Sequence, residues 1–327
     1  MPASCSSPLS CDLGFPKTIW YVLKPMTPIE VVADHQNLCG EGPLWNKWEQ
    51  ALYWTDIAGG KLYRCKWPER TSELVLEGFE VSGMAIGQSG SYILVNSDGV
   101  WSWKPGTNPL HIVGTVEGKR CALNDCIADP EGRIFAGSCF FDPEKEDYER
   151  GCLFRFDPDG TGHIVEEGIG LANGLGFSPE ATTMYFTDSA ERTIYAYDYR
   201  RTDGSIRNRR IFVKVPDTEG LPDGLTVDAE GFVWSAQWFG GCIVRYDPHG
   251  KEQQRIPIPA AQSSSLAFGG PDLTDIFVTS AGLSDALSLA PAQYKVEKQN
   301  IGGQLYRTNV GIRGKEENTA KIAFATS

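Results

Sequence analysis

Short runs in which apolar and polar residues alternate fill most of the chain, and turn residues separate these runs. ALYWTD (51–56), KLYRCKW (61–67) and TSELVLE (71–77) follow one another with only a few residues between them. Runs of this length with a period of two are typical of half-buried β-strands, whereas amphipathic helices need longer runs with a period near 3.6. Turn sequences such as DPEG (129–132) and DAEG (228–231) lie between runs. The pattern therefore predicts an all-β protein.

The same order of runs occurs six times after residue 28. The first strand of each unit begins at a similar motif: EGPLW (41–45), SGMAI (82–86), NDCIA (124–128), NGLGF (173–177), DGLTV (223–227) and SSLAF (264–268). A four-strand unit that recurs every ~40 to 50 residues is typical of a propeller blade. The chain is therefore predicted to form a six-bladed β-propeller with four antiparallel strands per blade.

The two ends of the chain are expected to close this ring. The sixth unit has no fourth run before the chain ends, and the segment IEVVADH (29–35) can supply that strand. Such pairing leaves few exposed strand edges. We therefore expect one propeller domain over 29–327, preceded by a tail or strap over 1–28. Three insertions relative to the other units are expected to form surface loops: 139–150, 200–209 and 281–301.

Composition and charge narrow the possible functions. The chain has 327 residues with 30 Lys and Arg against 42 Asp and Glu, and its net charge of −12 disfavours nucleic-acid binding. No apolar run reaches the ~18 residues of a membrane span. Nine cysteines without a CxxC pair indicate neither a disulfide framework nor a zinc ribbon. The first residues lack the basic and apolar regions of a signal peptide, so we expect a cytoplasmic protein. The sequence leaves the oligomeric state open.

Polar residues stand at the start of every predicted inner strand. The equivalent positions are Glu41, Ser82, Asn124, Asn173, Asp223 and Ser264. The first strand of each blade lines the central channel of a propeller, so these side chains are expected to converge. Two carboxylates crowded in a channel repel each other unless a cation lies between them. Oxygen donors suit Ca²⁺, Mg²⁺ or Mn²⁺ better than zinc. The alternative is a wet channel in which these residues bind water or cap strands.

Five segments together resemble the SMP-30/gluconolactonase/luciferin-regenerating-enzyme (regucalcin-like) family: CGEGPLW, LNDCIADPEGRIFAGS, ANGLGFSPE, PDGLTVDAEGFVW and SSLAFGG with the later IFVTSAG. The resemblance covers roughly 30–310 and all six units in order. It implies one divalent metal ion in the channel, held by the Glu of EGP, the Asn of NGL and the Asp of PDG. These residues are Glu41, Asn173 and Asp223. Ca²⁺ is the expected ion, with Mg²⁺, Mn²⁺, Zn²⁺ and Fe²⁺ as alternatives.

The resemblance also implies substrate contacts beside the metal. Asn124, from the ND motif, is expected to contact substrate or a bound water. Many relatives carry Arg two residues earlier, where this chain has Ala122, with Arg120 two positions before that. Asp142 falls near an acidic substrate-binding position of some relatives. We therefore expect Asn124, Asp142 and Arg120 to bind substrate, while Ala122 leaves the identity of the substrate open.

The implied activity is metal-dependent opening of a sugar-acid (aldono-) lactone, such as a glucono-, xylono- or arabinono-lactone, to the free acid. The metal polarises the carbonyl, water attacks, and Asp223 is expected to transfer the proton. Trp238 and Phe239 either wall the substrate pocket or pack between blades. Two alternatives remain: a metal-dependent esterase or lactonase acting on a non-sugar ester, and a non-catalytic calcium-binding propeller. The expected partner is a small-molecule lactone, with neither nucleic acid nor membrane.

Overall fold

A computed structural model describes residues 28–142, 145, 147–283, 287–295 and 300–322. Its strands form six four-stranded antiparallel sheets and one two-stranded hairpin. The first strands of neighbouring sheets contact each other around a closed ring. The chain is therefore a six-bladed β-propeller, as the repeat predicts.

The N-terminal strand is β1 (Glu30–Ala33), and blade 1 contains β2 (Gly40–Asn46), β3 (Ala51–Asp56), β4 (Lys61–Lys66) and β5 (Thr71–Glu77). Blade 2 contains β6 (Gly83–Ile86), β7 (Tyr92–Asn96), β8 (Gly99–Trp103) and β9 (Leu110–Val113), and the hairpin β10 (Thr115–Val116) and β11 (Lys119–Arg120) follows it. Blade 3 contains β12 (Leu123–Ala128), β13 (Ile134–Ser138), β14 (Gly151–Phe156) and β15 (Gly162–Ile169).

Blade 4 contains β16 (Ala172–Phe177), β17 (Thr183–Asp188), β18 (Thr193–Arg200) and β19 (Ser205–Lys214). Blade 5 contains β20 (Leu221–Val227), β21 (Val233–Trp238), β22 (Cys242–Tyr246) and β23 (Glu252–Pro257). Blade 6 contains β24 (Ser263–Gly269), β25 (Asp275–Ser280) and β26 (Leu305–Asn309). Two short 3₁₀ turns lie at Gln88–Gly90 and Leu287–Leu289. None of the helices in the described ranges is long and apolar enough to span a bilayer.

The N-terminal strand closes the ring as predicted. β1 pairs antiparallel with β26, with Glu30 opposite Arg307 and Val31 opposite Tyr306. It thereby becomes the outermost strand of blade 6. Glu30 also forms an ion pair with Arg307 at 3.1 Å. Residues 1–27 lie outside the described residues, so the tail or strap stays a prediction.

Two of the predicted insertions are long connections between strands, whereas the insertion at 200–209 lies mainly within two strands. Residues 139–150 join β13 to β14, and residues 281–301 lie between β25 and β26. The expected loop over 200–209 is wrong, because β18 runs to Arg200 and β19 begins at Ser205. The extra residues therefore lengthen one hairpin instead of leaving the sheet.

Apolar side chains pack between adjacent blades. In one cluster, Leu44 and Tyr53 of blade 1 lie with Met84 and Leu94 of blade 2. Trp54, like other large aromatic residues, is fully buried. Burying a large apolar side chain contributes about 1.5–3 kcal/mol, so these contacts hold the blades together. The aromatic residues act mainly as inter-blade core.

The last described residues cross the far end of the channel. We call residues 314–322 the closing segment. The amide of Gly314 donates to the Leu273 carbonyl at 2.7 Å, in blade 6, and the Ala320 amide donates to the Ile86 carbonyl at 2.7 Å, in blade 2. Lys321 bonds blade 3 through the Gly132 carbonyl at 2.8 Å. The segment therefore ties separate blades together beneath the channel.

Candidate functional site

The inner strands depart from regular pairing where their polar residues lie. The ladder register shifts in five inner strands: between Glu41 and Leu44, Leu123 and Asp125, Ala172 and Leu175, Pro222 and Leu225, and Ser263 and Leu266. An extra residue in one strand bends it locally and changes the direction of the side chain. The bulges lie at or immediately after the polar positions that the sequence singled out.

Four of the six polar residues line one cavity of about 250 Å³ at the end of the channel opposite the closing segment: Glu41, Asn124, Asn173 and Asp223. They come from four different blades and from sequence positions far apart. Asp223 is buried, with an exposed fraction of 5%. The structure thus brings together the predicted metal ligands and Asn124, while the role of each residue stays a prediction.

The other two polar residues, Ser82 and Ser264, form hydrogen bonds between neighbouring blades. Ser82 Oγ lies 2.8 Å from the Leu123 carbonyl of the next blade, and Ser264 Oγ lies 2.5 Å from the Gly40 carbonyl. Both serines are buried, and neither lines the cavity. Their hydroxyl groups link neighbouring inner strands.

A chain of hydrogen bonds orients the two amides. Asn124 Nδ2 donates to the Ala172 carbonyl at 2.7 Å and to Asn173 Oδ1 at 3.1 Å. Asn173 Nδ2 donates to Ser189 Oγ at 2.8 Å, and Ser189 Oγ donates to the Pro222 carbonyl at 2.6 Å. Ser189 thereby fixes which amide atom of Asn173 is the oxygen, and it links blade 4 to the strand that carries Asp223.

Sequence reasoning missed Ser189, and the repeated signal beside it is a Thr-Asp pair. The residue follows β17 in the run TMYFTDS, and blade 1 has the related run ALYWTD. In blade 4, Asp188 accepts hydrogen bonds from the amides of Gly170 (2.8 Å) and Leu171 (3.0 Å). In blade 1, Asp56 accepts one from the Cys39 amide at 2.8 Å. The repeated Thr-Asp pair therefore anchors the chain just before an inner strand.

The donor set fits a hard divalent cation. Two carboxylates line the cavity, and no Lys or Arg is among its lining residues in the described chain. Within the described residues no three His, Cys, Asp or Glu side chains group as a metal site. A cation here would therefore use the Asn173 amide oxygen together with Glu41 and Asp223. Carboxylate and amide oxygens are the donors that Ca²⁺ and Mg²⁺ prefer.

The other two predicted substrate residues, Arg120 and Asp142, contact other side chains in the structure. Arg120 is exposed on β11, with its guanidinium 5.6 Å from the centre of the Phe140 ring. Asp142 lies 2.5 Å from the Lys145 ammonium group. Neither is among the residues that line the described cavity. Their substrate contacts stay predictions.

Five apolar side chains form most of the remaining lining of the cavity, and we call them the apolar wall: Ile57, Phe141, Leu171, Leu221 and Trp238. Cys39, Cys139 and Ser189 complete the described lining. Phe239 lies behind Trp238 and packs on Tyr294, with ring centres 4.5 Å apart. Of the two aromatic candidates, Trp238 therefore lines the pocket and Phe239 supports it.

Comparison with known proteins gives consistent matches. A family model described as the SMP-30/gluconolactonase/LRE-like region matches residues 39–282. The pentonolactonase XacC of Haloferax volcanii is 36% identical over 88% of this chain and 96% of its own length. Regucalcin of Xenopus laevis is 31% identical over 91% of this chain and 98% of its own length.

Solved structures share the architecture. A luciferin-regenerating enzyme superposes with a TM-score of 0.81 at 27% identity, covering 90% of this chain and 100% of that one. A gluconolactonase from Xanthomonas campestris superposes with a TM-score of 0.70 at 24% identity, covering 86% and 89%. At that identity the second match shows the fold alone.

Proposed function

Because the chain belongs to the SMP-30/gluconolactonase/LRE-like family, we propose that it is a divalent-metal-dependent lactonase that opens aldonolactones to the free acids. The observation that supports this most is the convergence of Glu41, Asn173, Asp223 and Asn124 on one cavity. The similarity to a pentonolactonase supports a lactone as the substrate.

In this proposal Glu41, Asp223 and the amide oxygen of Asn173 hold the cation. A bound divalent cation supplies Lewis-acid polarisation of the lactone carbonyl and offsets the developing negative charge. We assign to Asp223 the transfer of a proton from the attacking water to the ring oxygen as the ester C–O bond breaks. Its burial keeps that transfer within the site.

Asn124 is proposed to orient the substrate as a hydrogen-bond acceptor. Both bonds of its Nδ2 go to protein oxygens, so its Oδ1 is the atom that faces a substrate hydroxyl. Arg120 and Asp142 are retained as contacts at the mouth. Their expected effect is smaller, because neither lines the cavity.

We propose the cytoplasm as the location. The thiols of Cys121, Cys126 and Cys152 are buried in one apolar cluster. Unpaired buried thiols of this kind suit a reducing compartment.

The test is a pH-stat assay over pentono- and hexonolactones, using protein that has been stripped by a chelator and reloaded with Ca²⁺, Mg²⁺, Mn²⁺ or Zn²⁺. We expect turnover of at least one aldonolactone, its loss on stripping and its recovery on reloading. Glu41→Gln should lose both turnover and metal affinity, whereas Glu69→Gln, in an exposed turn, should lose neither.

Two outcomes contradict the proposal in different ways. Full turnover in the presence of chelator removes the metal from the reaction. Metal binding without hydrolysis of any aldonolactone or non-sugar ester favours the non-catalytic calcium-binding alternative. One structurally similar protein is described as a calcium-binding protein, regucalcin.

A further inference from the structure

The cavity has two tiers of different chemistry. Side chains two residues apart in a strand point to the same face, about 7 Å along the chain. Two positions before the donors Glu41, Asn124, Asn173 and Asp223 stand Cys39, Ala122, Leu171 and Leu221. Three of these, all but Ala122, line the same cavity. We call these four positions the second tier. Leu221 begins β20 and the other three immediately precede β2, β12 and β16, and none of the four carries a charged side chain.

This second tier lies on the mouth side of the donors. Residues later in the inner strands, such as Leu44 and Phe177, line the opposite end of the channel beside the closing segment. Residues that precede the donors must therefore lie towards the open end. A ligand that reaches the donors passes the second tier first, and its distal part stays there.

The apolar wall is fixed in place by packing. Leu221 lies opposite Trp238 in the β20–β21 ladder, and both are buried among their neighbours. Phe239 and Tyr294 pack behind them. Arg192 holds the insertion that carries Tyr294, since its guanidinium donates to the Leu289 carbonyl at 2.6 Å. The wall is therefore a preformed surface that a ligand must match.

Besides the four donors and Ser189, the polar side-chain groups of the described lining are the weakly hydrogen-bonding thiols of Cys39 and Cys139 and the indole N–H of Trp238, which is buried. Ser189, the hydroxyl of the lining, is already bonded to Asn173 and to the Pro222 carbonyl. A substrate hydroxyl held against the side-chain carbons of Leu171 or Leu221 would lose bonds to water that these carbons do not replace. A methyl group in the same position would gain contact with the wall.

We infer that this cavity selects lactones whose carbon farthest from the carbonyl is a methyl group, namely 6-deoxyaldonolactones, over the corresponding lactones that end in a hydroxymethyl group. The inference rests on the proposed lactonase function and names the substrate class of the same site. The oxygens of the lactone ring face the donor tier, and the methyl group faces the apolar wall.

Matched pairs of lactones test this directly. L-Rhamnono-1,4-lactone and L-mannono-1,4-lactone differ only in the oxygen at C6, as do D-fucono-1,4-lactone and D-galactono-1,4-lactone. We expect kcat/KM to favour the deoxy member by about 10-fold or more in the pair whose stereochemistry the site accepts. Calorimetric binding of the corresponding unreactive lactams should show the same preference in Kd.

Two variants locate the preference in the wall. Leu171→Asn and Ile57→Thr place polar groups on half-buried positions of the wall; the first keeps the shape of the side chain and the second shortens it by one carbon. Each should reduce the deoxy preference towards one, mainly through KM. Leu110→Asn changes an apolar residue that is 60% exposed on β9 and should leave the ratio unchanged. Melting temperatures of all three variants check that they fold.

The outcomes separate this inference from the proposed function. Equal kcat/KM for the two members, or a preference for the hydroxymethyl lactones, overturns the inference and leaves the lactonase in place. If no aldonolactone is hydrolysed and no lactam binds, the proposed function and the inference are both overturned. A preference that persists unchanged in Leu171→Asn and Ile57→Thr overturns the assignment to the wall.

Discussion

The two ends of the channel are built from the same six inner strands, but they deal with buried charge in different ways. At the cavity end, Glu41 and Asp223 face a space of about 250 Å³ whose described lining holds no cationic side chain. At the far end, where the closing segment crosses the channel, the space is about 80 Å³. There Lys315 lies with the carboxyl groups of Asp125 and Glu317. The far end carries its own cation, whereas the cavity end is suited to one supplied from outside.

A single bulge explains how adjacent residues serve opposite ends. Asn124 lines the cavity and Asp125 lines the far end, although successive side chains of a regular strand point to opposite faces of the sheet. The register shift between Leu123 and Asp125 lets both face the channel. The bulges therefore help to divide the channel into two chemical environments.

The largest expected effect is on the cavity end. Asp223→Asn removes a carboxylate that we assign to both the metal and the proton transfer, so kcat should fall by at least ~100-fold. Lactone hydrolysis in a pH-stat measures this. Asp125→Asn is the matched control at the far end and should keep turnover within a few-fold of wild type. Comparable losses in the two variants would remove the functional distinction between the ends.

The next largest effect is expected on the free energy of unfolding, from a substitution at the far end. A Cβ on Gly314 would lie 2.1 Å from Cβ of Phe268, so Gly314→Ala should displace the closing segment. Overpacking of this kind costs about 1–3 kcal/mol in the free energy of unfolding, which urea denaturation measures. Turnover well below the unfolding transition should stay near wild type. An unchanged unfolding free energy would show that the segment contributes little to the ring.

Ser189→Ala sharpens the account of the cavity end. It removes the acceptor that orients the Asn173 amide, so metal affinity should fall by about 10- to 100-fold in a calorimetric titration. Ser82→Ala is the matched control, because Ser82 also bonds a neighbouring blade but does not line the cavity. Equal metal affinity in the two variants would contradict the positioning role of Ser189.

The far end should show its buried carboxyl groups in the pH dependence of stability. Burial raises the pKa of Asp125 to about 7, and burial also raises the pKa of Glu317. A carboxyl group whose pKa is higher in the folded than in the unfolded protein binds more protons when folded. Its contribution is therefore complete below about pH 4 and is lost as the pH rises through about 7.

Asp125→Asn should remove the part of the pH dependence of stability that comes from Asp125. The variant should exceed wild type by about 1–2 kcal/mol in unfolding free energy at pH 8 and differ less at pH 4. Urea denaturation at the two pH values measures the difference. An identical slope in both proteins would mean that Asp125 is not protonated in the folded state near neutral pH.

The smallest effect is expected at the exposed part of the closing segment. Glu316 pairs with Lys47, but more than half of the Glu316 side chain is exposed. Exposed ion pairs contribute about 0–1 kcal/mol, so Glu316→Gln should change the unfolding free energy by less than ~0.5 kcal/mol. A larger loss than that of Gly314→Ala would mean that charge, and not packing, holds the segment.

Much of the fold follows from the sequence, because strand periodicity and turns recur six times. The observed inner strands begin within two residues of the predicted positions. The alignment of units also finds the cavity donors Glu41, Asn173 and Asp223. It cannot separate them from Ser82 and Ser264, because that difference depends on hydrogen bonds between blades.

Other parts have no local signal. Bulges arise where two strands pair out of register, and the sequence of one strand does not specify its partner's register. The closing segment has no repeat pattern, since its partners are backbone groups of separate blades. The loop expected at 200–209 is wrong for a related reason, because an inserted stretch can extend a hairpin as readily as leave it.

The closing segment has a kinetic consequence for the proposed reaction. Within the described residues, the closing segment crosses the far end of the channel, so the cavity is reached from the opposite end. Incoming lactone and outgoing acid must take turns at the same opening. The acid should therefore act as a competitive inhibitor and raise the apparent KM for the lactone as product accumulates.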